Sequence, residues 1–65
     1  RFPVATGRET MPGRKGTVKQ ALDPVGIVHV EGEEWSATTV DGRRVPEGAT
    51  VTVVKVQGLT LIVTD

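Results

Sequence analysis

The stretch LDPVGIVHVEGEEWSA, residues 22–37, holds the one histidine, the one serine and the one tryptophan of the chain, together with three glutamates. A serine nucleophile needs a base within hydrogen-bond reach. His29 and Ser36 fall on adjoining predicted strands, but if Val28 and Val30 face a core, alternation turns His29 out to solvent. No glycine-flanked nucleophile elbow surrounds Ser36. No catalytic residue is assigned, and the piece is read as not being an enzyme.

Glu31, Glu33 and Glu34 offer the oxygens a hard cation wants. A strand at Glu33 sends Glu33 and Glu34 to opposite faces, so the cluster reads as a solvated turn, with no metal site and no cofactor. Arg14, Lys15 and Lys19, with Arg43 and Arg44, are the basic concentrations that could meet phosphate or an acidic partner. Single-strand nucleic-acid binders add aromatic platforms that contribute about 1–3 kcal/mol per stacked base. Here the aromatics are Phe2 and Trp35 alone, and Trp35 shares a phase with Ala37 as a core residue would. Nucleic acid is therefore disfavoured, and a single-stranded nucleic-acid or polyanion binder using Lys15, Lys19, Arg43 and Arg44 is the alternative function. Swinging-arm carriers present a lysine at a hairpin tip, whereas the tips EG, DG and QG here have none.

The elements that must position these residues are short. A chain of 65 residues makes one domain, whose core alone supplies about 3–5 kcal/mol. Eight basic residues balance eight acidic ones, so no net field draws in nucleic acid or lipid. The absence of cysteine removes disulfides, thiolate metal sites and thiol nucleophiles. No apolar run approaches the roughly 20 residues of a membrane helix, and the expectation is a soluble piece. It begins at Arg1, not at a methionine, and is expected to come from a longer protein.

Residues 1–14 hold two prolines and two glycines without a period and read as a linker or arm; residues 15–65 read as the folded domain. GTVKQAL alternates as a strand, with Gln20 intruding on the face of Val18 and Leu22. DP at 23 and 24 turns the chain. GIVHV and EEWSATTV then pair as a hairpin in which Gly32 supplies a positive φ. Residues 41–49 form a loop, and TVTVVKVQGLTLIVTD makes two strands around QG. The double phase of Val51, Val53, Val54 and Val56 predicts a strand buried on both faces or a bulge. In the last strand Leu59, Leu61 and Val63 are expected on one face. Five strands without a helix bury their apolar faces most economically by closing into a barrel. The fold class is all-β, a small five-stranded OB-fold barrel lacking the usual helix between strands three and four.

The motifs TG at 6 and 7, GRKG at 13–16, LDPVGIVHVEGEEWSA at 22–37, VPEGATVTVV at 45–54 and VQGLTLIV at 56–63 together resemble the C-terminal soluble domain of NfeD-like membrane proteins. Thr10 and Met11 depart from that pattern, standing where a glycine and aliphatic residues are expected. The resemblance implies an OB-fold barrel carried by membrane-spanning segments outside this piece, on the cytoplasmic face. It further implies a stomatin- or flotillin-like membrane partner, a role in membrane protein quality control by regulating membrane protease activity, and protease chemistry confined to a separate domain. Gly26, Gly32 and Trp35 are read as structural, the two glycines shaping turns and the tryptophan closing the barrel. The expected partner-binding residues are Ile27 and Ile62, outward on two strands, with Arg43 and Arg44 in the long loop.

Overall fold

The computed structural model describes residues 10–65. Five strands follow one another: β1 Lys15–Gln20, β2 Val25–Val30, β3 Glu33–Thr39, β4 Thr50–Gln57 and β5 Thr60–Thr64. They close into a barrel in the order β1-β2-β3-β5-β4. Every neighbouring pair is antiparallel except β3 and β5, which run parallel from Ser36↔Thr60 to Thr39↔Val63. The chain thus makes a three-strand meander, crosses by a loop, and returns as a hairpin whose strands seal the gap between β3 and β1. The expected five-stranded barrel is observed, and among the described residues there is no helix.

Alternation explains which side chains fill it. Val28 and Val30 of β2, Trp35 and Ala37 of β3, Val51 and Val53 of β4, and Leu61 and Val63 of β5 all point inward. Trp35 is 7% exposed and belongs to this core, as its phase predicts. The β2–β3 turn is made by Glu31 and Gly32, with φ of 53° and 80°. Left-handed backbone at Gly32 meets no Cβ penalty.

Two bulges settle the anomalies of phase. In β1 the register shifts between Val18 and Gln20, so Gln20 is exposed while Val18 and, beyond the strand, Leu22 remain buried. In β4 it shifts between Val53 and Lys55, which leaves Val54 and Lys55 both exposed. One extra residue in a bulged strand reverses the inside-outside phase beyond it. Leu59 departs from the expected alternation: it lies in the β4–β5 turn ahead of β5 and is 70% exposed, because the turn ends the pleat before it.

Gly26 lies within β2, not in a turn. A Cβ there would collide with the carbonyl oxygens of Ala21 and Gln20, where the end of β1 crosses over it. Backbone cannot yield as a flexible side chain can, so the site requires glycine. Gly16 is similar, since its Cβ would sit 2.8 Å from the His29 carbonyl oxygen.

Packing begins ahead of β1. Met11 is 4% exposed and joins the core. The Gly13 N–H donates to the Val53 carbonyl and the Val53 N–H to the Arg14 carbonyl, both at 2.8 Å. Residues 1–9 of the expected arm lie outside the described residues. The long loop is anchored at Val45, which exchanges backbone hydrogen bonds with Leu22 at 2.9 and 3.0 Å; both side chains are fully buried.

Candidate functional site

The outward residues of the barrel wall form rows across the strands. One row runs Val25, Thr38, Ile62 and Lys55; the next runs Gln20, Ile27, Ser36, Thr60 and Gln57. Ile27 and Ile62 therefore share one outer face with β3 between them, and each is half-buried by its neighbours. Val25 at 56% and Val54 at 43% exposure extend the apolar surface. The Thr38 hydroxyl donates to the Pro24 carbonyl at 2.8 Å, which fixes the middle of the face against the β1–β2 turn.

Arg43 and Arg44 stand at the adjoining end of the barrel, where their charges meet carboxylates of the same chain. Arg43 Nη2 donates to Asp65 Oδ1 at 2.9 Å, and its Nε lies 3.8 Å from Asp41. Arg44 Nε lies 3.7 Å from Asp23. The Thr39 hydroxyl donates to the Arg43 carbonyl at 2.9 Å, so Arg43 also secures the loop. The Arg43 backbone N–H donates to Asp41 Oδ1 at 3.1 Å, and this bond holds the Asp41 carboxyl below its ordinary pKa. The structure brings Ile27 and Ile62 together and places the two arginines at the border of their face, already ion-paired.

The other candidates do no chemistry in this geometry. His29 is exposed opposite Glu34, Ser36 is exposed opposite Ile27, and no hydrogen bond connects the two. Glu31 pairs with Arg14, Glu33 and Glu34 differ in burial as opposite faces require, and no acidic or histidine group among the described residues could hold a metal. The described residues enclose no pocket. Lys15 donates to the Thr52 hydroxyl at 3.2 Å on the outer wall. Trp35 is buried, so none of the described residues offers the outer wall an aromatic platform on which a base could stack; Phe2 lies outside the described residues.

Sequence reasoning missed the exposed Val25, Val54 and Lys55 as members of the outer face. The signal was present in the double phase of VTVVKV, since a bulge turns two consecutive residues outward.

Comparison with known proteins gives this face a family context. Residues 8–64 match the NfeD family model, described as the NfeD-like C-terminal, partner-binding domain. The "Membrane-bound protease PH1510" of Pyrococcus horikoshii is 45% identical over 58 residues, covering 89% of this chain but 13% of that protein. The chain thus spans about an eighth of the length of that relative. Among solved structures, the C-terminal domain of stomatin operon partner protein 1510-C from Pyrococcus horikoshii superposes with a TM-score of 0.85 at 44% identity, covering 91% of this chain and 92% of that one. The soluble domain of a membrane protein implicated in regulation of membrane protease activity from Corynebacterium glutamicum gives 0.85 at 30% identity, over 89% and 95% of the two chains. The soluble domain of the NfeD protein YuaF from Bacillus subtilis gives 0.80 at 33%, over 92% and 79%. No helix among the described residues is long and apolar enough to cross a membrane. By the extent of these matches, the chain belongs to the NfeD-like C-terminal, partner-binding domain family.

Proposed function

We propose that this domain is a non-enzymatic docking module of a membrane-anchored protein. It binds a stomatin- or flotillin-like membrane partner and so takes part in membrane protein quality control. The anchor and any protease domain lie in chain segments outside this one, and the barrel works on the cytoplasmic face. The observation that carries the reading is the wall bearing Ile27 and Ile62, where Ser36, Thr38 and Thr60 complete an uncharged strip of outward residues. Apolar wall residues flanked by charge are the usual anatomy of a protein interface. Support for the class of partner comes from the relative described as a stomatin operon partner protein.

The test is a pull-down of a stomatin-like protein of the same organism by the chain, with Ile27→Asp and Ile62→Asp as variants. Both substitutions sit on the outer wall and should leave the fold intact by circular dichroism. Loss of capture in either variant supports the reading. Undiminished capture removes this wall as the interface, and absence of capture by the unaltered chain removes the partner class.

A further inference from the structure

The two bulges place a lysine at each side of the Ile27–Ile62 face. Lys19 lies in the β1 bulge beside Gln20, which pairs with Ile27; Lys55 lies at the β4 bulge and pairs with Ile62. Both are exposed, and neither makes an ion pair among the described residues. Arg43 and Arg44, in contrast, are engaged by Asp41, Asp65 and Asp23. Between the lysines the wall carries Ile27, Ser36, Thr38, Thr60 and Ile62, none of them charged.

The fold restricts what can lie there. Each strand has a neighbour on both sides, so no edge accepts an added strand. An extended peptide laid flat on the wall would lose water from its backbone groups and find few partners in return. A helix satisfies its own backbone. Neighbouring strands are about 4.8 Å apart and successive outward rows about 6.8 Å apart, so Ile27 and Ile62, two strands and one row apart, stand about 12 Å from each other on a diagonal across β3. Residues seven apart on a helix are separated by about 10.5 Å along its axis, two turns. The lysines, one strand further out on each side, would then face the turns beyond the two anchors.

We propose, resting on the docking reading above, that the occupant is an amphipathic helix of a protein partner that crosses the strands. Its two apolar anchors sit on Ile27 and Ile62, and acidic residues at its outer turns pair with Lys19 and Lys55. Charge at the rim of an interface chiefly sets encounter rate and discrimination, so these lysines select an acidic-flanked helix over a basic one.

The test uses two synthetic helical peptides, each with leucines seven residues apart. One carries glutamates a turn beyond each leucine, the other lysines in their place. Each is titrated into the isotope-labelled 65-residue chain and followed by amide chemical shifts. The acidic peptide is expected to shift the amides of Ile27, Thr38 and Ile62, and to bind about tenfold or more tightly than the basic one, the order of two rim charge pairs gained against two repelled. Lys19→Glu with Lys55→Glu should reverse that preference. Equal binding of the two peptides, shifts confined to other surfaces, or no binding of the acidic peptide overturns the proposal. So does a preference for anionic phosphatidylserine vesicles over the acidic peptide at the same face. The peptide readout does not involve a stomatin-like protein, so failure here with successful capture in the pull-down leaves the docking reading standing, and the converse leaves the helix preference standing.

Discussion

Arg14, in the chain ahead of β1, reaches Glu31 in the β2–β3 turn, with Nη1 2.6 Å from Oε2. The pair ties the entering chain to a hairpin on the neighbouring strands. The arginine side chain is 38% exposed and the glutamate 60%. Solvent therefore screens most of the attraction, and a double-mutant cycle with Arg14→Ala and Glu31→Ala should give a coupling of about 0.2–1 kcal/mol. Urea unfolding in low and high salt checks this: the coupling should shrink as salt rises. A salt-independent coupling above that range would mean that the pair is held by more than surface charge.

Met11 fills the barrel from outside the strands. Met11→Ala should cost about 2–5 kcal/mol, the usual loss for a buried side chain of this size. In a domain whose core supplies only about 3–5 kcal/mol, that loss would leave a large unfolded fraction at ordinary temperature. Thermal unfolding followed by Trp35 fluorescence measures it. A shift of only a few degrees would show that residues 10–14 do not share the core.

Gly26 and Gly32 are both structural, for different reasons. At Gly32 a side chain meets open space and only the positive φ opposes it, so Gly32→Ala should cost about 1–2 kcal/mol. At Gly26 the obstacle is the backbone of Ala21 and Gln20, so Gly26→Ala should cost roughly 3 kcal/mol or more. Denaturation midpoints of the two variants test the order, and the reverse order would show that β1 can move away from β2 at this point.

Asp41 supplies the pH dependence. Its carboxyl pKa is lowered in the folded chain, first by the Arg43 backbone N–H and also by the Arg43 charge. A depressed carboxyl contributes stability above its unfolded pKa and loses that contribution as pH falls through the folded value. Because Asp41 is fully exposed, the change is local: the Arg43 amide resonance should shift with a midpoint below that of an unstructured aspartate. Asp41→Asn should abolish the titration, and a midpoint at or above the ordinary aspartate value would contradict the hydrogen bond.

Much of the architecture was legible in period-2 alternation. The phases of Val28, Val30, Trp35 and Ala37 follow directly from the β2–β3 hairpin, and so does the outward direction of His29 and Ile27. What escaped depends on residues distant in sequence. Arg43 reads as a free cation until Asp65, 22 positions on, is brought to it. Gly26 reads as a turn glycine until the end of β1 is laid over β2. Met11 carries no period that joins it to a strand, and its burial follows from the backbone bonds that Gly13 and Arg14 make with Val53. The outer face was partly legible, in its isoleucines but not in the lysines beside them, because two bulges place those lysines there.

Ring closure also sets the order in which the molecule can form. The Lys15↔Thr52 pairing joins strands 37 positions apart at that point, and β3 gains its second neighbour only from β5, the last strand in the chain. Contacts of such separation carry their loop-closure entropy before any return, and chains dominated by them fold slowly. As this sequence leaves the ribosome, the β1–β2–β3 meander emerges first with its inner valines still open on one side, and it stays uncovered until Thr64 has been made. The barrel is therefore a unit that a cell completes after translation of the whole segment.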